Sequence, residues 1–287
     1  MKFASFAQGD DRRVGLVDEE AHCLRSLHPS FRTVLDVILR GKDVDAASLE
    51  QAPAVPLRQA RLLAPLVPTR NIFCVGKNYR EHAKEFSGSG YEAGAVKGAE
   101  IDEYPAVFSK PPSTIVGHGD PVSLHACVTS AVDYEAELAV VIGKPGSNIP
   151  RERAYQHVWG YTIVNDVTAR DRQRNHKQWF LGKSLDTFCP MGPWVATADS
   201  LDPENLDVTC HVNGELRQRA NTGELIFDIP TLIASISSGL ELLPGDVIAT
   251  GTPAGVGIGF APPRFLNPGD EVEISISGIG TLKNTFR

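Results

Sequence analysis

The stretch Val132-Asp-Tyr-Glu-Ala-Glu-Leu-Ala-Val-Val-Ile-Gly143 limits what this chain can fold into more than any other. Side chains alternate between the faces of a strand, so Glu135 and Glu137 point the same way as Ala139 and Val141. Ala136, Leu138, Val140 and Ile142 share the opposite face. Apolar side chains on both faces predict a strand buried on both sides. Two carboxylates at the mouth of such a strand repel one another and are poorly solvated unless a cation sits between them. Taken alone, a Glu-x-Glu pair is more often a solvated strand start.

A third carboxylate in a comparable position shifts that balance. Asp166 ends the strand-like run Gly160-Tyr-Thr-Ile-Val-Asn-Asp166, which leads straight into Thr168-Ala-Arg-Asp171. That spacing matches a capping box and predicts a helix from Thr168 to Lys177. Asp166 then lies where strand meets helix, with Arg170 and Gln173 stacked on one helical face. Glu135, Glu137 and Asp166 offer hard oxygen donors without histidine or thiolate, a set suited to Mg²⁺ or Mn²⁺ with positions left open for water or substrate. The competing reading makes Asp166 a turn or cap residue and Arg170 a surface charge.

Around these segments the 287-residue chain is rich in short strands. Its 26 glycines and 20 prolines punctuate the runs Ile72–Val75, Ala106–Ser109, Asp207–Val212, Asp246–Thr250 and Glu271–Ser277. Helical patterns are few: Tyr79–Phe86, Arg151–His157, Thr168–Lys177 and Ile229–Gly239. Strands do not alternate regularly with helices, so the expected class is α+β and β-rich rather than a doubly wound parallel sheet. Residues 1–68 read as a small N-terminal α/β domain. Two strands flank Gly9-Asp10-Asp11, and Phe31, Val34, Leu35 and Ile38 give a helical stripe stopped by Gly41. Pro53, Pro56, Pro65 and Pro68 mark the connector to a second domain, residues 69–287.

A net charge of −7 gives no global attraction to nucleic acid or to an anionic membrane. No run approaches the ~20 apolar residues that a spanning helix needs. The opening MKFASFAQGDDRR turns charged too early for the apolar part of a secretion signal. Cys23, Cys74, Cys127, Cys189 and Cys210 are odd in number and lack CxxC spacing, which points to a reducing, cytoplasmic setting. A Gly-x-Ser-x-Gly elbow and a His-Glu-x-x-His pair are both absent. His118 and His125 read as satisfied or solvent-facing rather than as ligands.

Three further places could carry chemistry. His82 and Glu85 are three apart on a predicted helix, where a carboxylate can orient an imidazole, although most such pairs are surface contacts. The small, polar stretch 87–102 follows directly and is expected to be mobile, able to act as a lid. Lys183 in Phe180-Leu-Gly-Lys has an apolar approach that points it into a pocket. Ile248-Ala-Thr-Gly-Thr-Pro-Ala-Gly-Val-Gly257 runs a strand into a glycine-rich turn, whose amides and Thr252 hydroxyl could hold a carboxylate or phosphate. Such turns are more often only tight loops.

Together these segments resemble the fumarylacetoacetate hydrolase superfamily over about residues 70–287. The resemblance is carried by GKNYREHAKE (76–85), VDYEAELAVVIGK (132–144), GYTIVNDVTARDRQ (160–173), FLGKSLDTFCPMGP (180–193), VNGELRQ (212–218), PGDVIATGTPAGVG (244–257) and NPGDEVEISISGIGTLKN (267–284). It implies a mixed β-sandwich roll, a homodimer, and one Mg²⁺ or Mn²⁺ held by Glu135, Glu137 and Asp166. It further implies a His82–Glu85 catalytic dyad on a lid helix, with Lys183, Arg170 and Gln173 contacting substrate oxygens and Thr252 a substrate carboxylate. The region between Glu85 and Pro105 is longer than the pattern implies, and Gly76–Asn78 offers no fourth acidic ligand.

The expected chemistry passes through an enolate stabilised by the metal, Lys183 and Arg170. The favoured reaction is C–C cleavage of an acylpyruvate-type or related dioxo acid, with His82 and Glu85 activating water. Decarboxylation or tautomerisation of oxaloacetate or a related 2-oxo diacid is the runner-up. A non-catalytic metabolite-binding protein is the alternative from another class, and it has no use for a His–Glu base.

Overall fold

The computed structural model describes residues 1–41, 48–91 and 102–287. The predicted mobile stretch falls largely on residues 92–101, outside the described residues. The strand Ala136–Ile142 lies inside the larger sheet, antiparallel to Val158–Asn165 on one side and to Val247–Ala249 on the other. All seven of its residues are buried.

Its two faces enter two different cores, as the alternation predicted. Ala136, Leu138, Val140 and Ile142 pack with Val208, Val272 and Ile274 of a second sheet and with Leu232 and Ile236 of the helix Ile229–Ser237. Ala139 and Val141 pack with Ile72, Cys74 and with Val34, Val37 and Ile38 of the helix Val34–Arg40. Each buried Val, Leu or Ile contributes roughly 1.5–3 kcal/mol, so the strand is anchored from both sides.

Beyond Val247–Ala249 the large sheet continues through Ile72–Gly76, paired in parallel, to the antiparallel strand Ala106–Lys110. Beyond Val158–Asn165 come Cys189–Thr197 and then the N-terminal strand Lys2–Gln8, in the register Phe3↔Val195. The N-terminal strands Asp11–Asp18 and Cys23–Ser26 thus extend the same sheet. The second sheet is antiparallel, in the order Glu215–Asn221, Asp207–Val212, Glu271–Ile276, Gly280–Thr285. Its last two strands form a hairpin, turning at Gly278, whose φ of 76° suits glycine. The architecture is α+β, β-rich and mixed.

Local signals explain the ends of the first helix. Thr33 and Asp36 form a capping box, with Thr33 N donating to Asp36 Oδ2 at 2.8 Å, and the helix stops at Gly41. Phe31 is buried ahead of that helix rather than within it. Arg151–His157 is 3-10 rather than α-helical. The capping box predicted at Thr168 does not form. Thr168 and Ala169 bridge Asp133 and Val132 as a short ladder, and the Thr168 hydroxyl donates to Asp166 O at 2.9 Å. The helix therefore begins at Arg170 and ends at Asn175. Among the described residues no helix is long and apolar enough to cross a membrane.

Candidate active site

Antiparallel pairing brings the acidic side chains together. Ala136 sits opposite Asn165, so Asp166 emerges beside Glu135 and its amide donates to Glu135 O at 2.9 Å. Oxygens of Glu135, Glu137 and Asp166 lie within 4.8 Å of one another, and all three residues are buried.

Cations crowd the same place. Lys183 Nζ lies 2.8 Å from Glu135 Oε2 and 2.7 Å from Asp166 Oδ2. Arg170 reaches Glu135 Oε1 at 2.7 Å and Asp133 Oδ2 at 2.8 Å, and donates to Gln173 Oε1 at 3.2 Å. Lys110, wholly buried, pairs with Asp166 Oδ1 at 2.7 Å and donates to the main-chain oxygens of Val167 and Lys183. Four carboxylates therefore face three cations. Glu137 is the one left over: it accepts from Gly251 N at 2.9 Å, and no ion pair reaches it among the described residues.

The titration behaviour follows this pairing. Burial works to raise the Glu135 carboxyl, but the Lys183 and Arg170 charges overcome it and bring it down to about 2. Burial, then Asp166 and Glu135, push the Glu137 carboxyl well above its usual value. Burial opposes the Lys183 charge, yet Asp166 and Glu135 hold it above the ordinary lysine range. A buried, cation-poor carboxylate beside two others is what a divalent ion relieves. The three side chains can hold one, and their all-oxygen set fits a hard cation.

The predicted dyad is assembled as well. On the helix Arg80–Gly88, His82 Nδ1 lies 3.1 Å from Glu85 Oε2, and Glu85 Oε1 accepts from Gly255 N at 3.0 Å. His82 faces the cleft that Glu135, Arg170, Gln173, Lys183 and Thr252 also line. The Thr252 hydroxyl accepts from Gln218 Nε2 at 2.8 Å, and Gln218 Oε1 accepts from Ala136 N at 3.0 Å. Gln218 thereby ties the glycine-rich loop to the acidic strand. Six of the nine predicted site residues thus line one cleft, and the other three touch them: Glu137 and Asp166 beside Glu135, and Glu85 on His82.

Sequence reasoning missed four residues. Lys110 follows the strand-like Ala106–Ser109, and only sheet pairing carries it under Asp166. Asp133 lay in plain view two residues before Glu135. It accepts from Gly257 N at 2.6 Å and Arg170 Nε, clamping the glycine-rich loop to the Arg170 helix. Trp179 and Lys77 also line the cleft. His118 and His125 bond main-chain groups and stand apart from the acidic cluster. Burial pushes the Cys189 thiol up to about 12, which disqualifies it as a nucleophile. A wider hollow of about 740 Å³ beside Phe3, Tyr155 and Trp159 contains none of the site residues.

This arrangement has counterparts. Residues 71–287 match the family described as fumarylacetoacetate (FAA) hydrolase, C-terminal. The oxaloacetate tautomerase YisK of Bacillus subtilis is 55% identical over 230 residues, covering 79% of this chain and 73% of that protein. The structure of a fumarylacetoacetate hydrolase from Exiguobacterium antarcticum superposes with a TM-score of 0.87 at 44% identity, covering 100% of this chain and 99% of that one. A 2-hydroxyhepta-2,4-diene-1,7-dioate isomerase from Mycobacterium marinum gives 0.76 at 35% identity, covering 100% and 98%. Similarity of this extent, over the very segments that build the cleft, makes the chain a member of the fumarylacetoacetate hydrolase family.

Proposed function

We propose that this enzyme interconverts the keto and enol forms of a 2-oxo diacid of the oxaloacetate type, with Mg²⁺ or Mn²⁺ at Glu135, Glu137 and Asp166. The observation that carries the reading is the buried carboxylate triad with Lys183 and Arg170 beside it and a His–Glu pair facing the same cleft. The 55% identity to an oxaloacetate tautomerase supports this reaction over the others.

When bound, the divalent ion supplies positive charge for an enolate. The chain does the rest. Glu85 engages His82 Nδ1 and leaves Nε2 to take a proton from the carbon between the substrate carbonyls. Lys183 and Arg170, fixed by their ion pairs, add charge on the enolate oxygen without reorganising. Return of a proton to oxygen completes the tautomerisation. Gln173 and Thr252 orient the substrate, and the narrow cleft excludes bulk water.

The same groups support C–C hydrolysis if His82 activates a water instead, and the intact dyad keeps that second reading open. Proton NMR in D₂O with the Mg²⁺-loaded enzyme separates the two. Faster exchange at C3 of oxaloacetate than with metal alone supports tautomerisation. Acetate plus pyruvate from acetylpyruvate supports hydrolysis, and pyruvate from oxaloacetate alone indicates decarboxylation. No change in any tube overturns the enzymatic reading.

A further inference from the structure

Lys77 stands at the end of the strand Ile72–Gly76, where the chain turns toward the dyad helix. Its backbone is left-handed, with φ 54°, an uncommon conformation for a residue with a side chain. The turn is held from both sides. Asn78 donates to Thr250 O at 2.8 Å and to Phe227 O at 3.0 Å, and accepts from Phe227 N at 2.8 Å. On the other side the Trp179 ring fills the space where Gly76 lacks a side chain.

This turn delivers Lys77 to the cleft, where its side chain is only 9% exposed. The cations of the cleft differ in what occupies them. Arg170 is committed to Asp133 and Glu135, and Lys183 to Glu135 and Asp166. Lys77 instead pairs at 2.5 Å with Asp102, which lies outside the acidic cluster and is 24% exposed. Asp102 can return to water when displaced, whereas the inner carboxylates cannot. Lys77 is thus the cleft cation whose partner an incoming anion replaces at least cost.

From this we infer that Lys77 selects substrates with a second carboxylate, exchanging its ion pair with Asp102 for one with the distal carboxylate of a 2-oxo diacid. The assignment rests on the tautomerase reading for the substrate's 2-oxo acid end, but the recognition itself is a binding event and can be measured without turnover.

Two pairs of probes test it on the Mg²⁺-loaded protein: oxaloacetate against its 4-methyl ester in kinetics, and unreactive malate against 4-methyl malate in calorimetry. Each pair differs by one distal charge. The wild type should prefer the diacid by about 10- to 100-fold, in KM and Kd rather than kcat. Lys77→Met should abolish that preference, and Lys77→Arg should retain most of it. Asp102→Asn should tighten the diacid a few-fold and leave the ester unchanged, a gain that misfolding cannot produce. An undiminished preference in Lys77→Met, or none in the wild type, overturns the assignment. Selective diacid binding through Lys77 without tautomerisation would sink the proposed reaction and leave the assignment standing.

Discussion

Gly259 leaves room for Glu85: a Cβ at position 259 would overlap the Glu85 carboxylate. The clash falls on the far end of a flexible side chain, and the φ of Gly259 is not in the left-handed region. Gly259→Ala should therefore cost little stability while pushing Glu85 off His82. Turnover should fall by about 10²-fold, with the melting temperature and Mg²⁺ affinity near wild type. A variant that keeps full turnover would show that the dyad does not need this geometry.

Lys183 lies between Glu135 and Asp166, paired with both. In the proposed mechanism, Lys183→Met removes a competitor for those oxygens as well as a stabiliser of the enolate. Mg²⁺ affinity by calorimetry should hold or rise, while turnover drops by about 10²-fold or more. Glu137→Ala should lose both together. Retained against lost metal binding distinguishes the two roles.

The raised Glu137 carboxyl sets a pH dependence. Without metal, the folded protein keeps a proton on Glu137 that the unfolded chain releases above 4.5, the ordinary value. This group therefore lowers stability progressively as pH rises above that point. Metal binding needs the ionised form, so affinity rises with pH and a proton is released. Melts from about pH 5 to about pH 8 should show the Mg²⁺-induced gain growing with pH, and Glu137→Gln should flatten it.

Lys110→Met should be among the most damaging single changes. It takes away one of the two cations that hold the buried Asp166, leaving Lys183 alone, and frees the Val167 and Lys183 carbonyls. Breaking one side of a buried pair costs about 3–5 kcal/mol, measurable by urea denaturation. A loss under about 1 kcal/mol would mean that Lys183 compensates alone.

How far the chain could be read depended on the range of each interaction. Glu135 and Glu137 were legible because the alternation that buries Val140 and Val141 on opposite faces is written within a few residues. His82 and Glu85 were legible as a helical pair for the same reason. Lys110 was not, because nothing beside it in sequence says that Ala106–Lys110 will pair with Ile72–Gly76 and slide its last residue beneath Asp166. Thr168 misled because its local capping pattern competes with a ladder to Asp133, 35 residues earlier in the chain, and the ladder wins. The strands at Lys2 and Arg13 could be read as a pair, but the docking of Phe3 on Val195 is a long-range event with no local mark.

The strand Ala136–Ile142, wedged between two cores, also divides what can be altered from what cannot. Changing Glu135 or Glu137 disturbs the least forgiving part of the molecule, whereas the Lys77–Asp102 pair lies outside the acidic cluster, with Asp102 24% exposed. If Lys77 recognises the distal acid as proposed, retargeting this enzyme is a matter of editing its threshold: a designer would exchange the recognised acid at two positions and leave the carboxylates and the His82–Glu85 pair untouched.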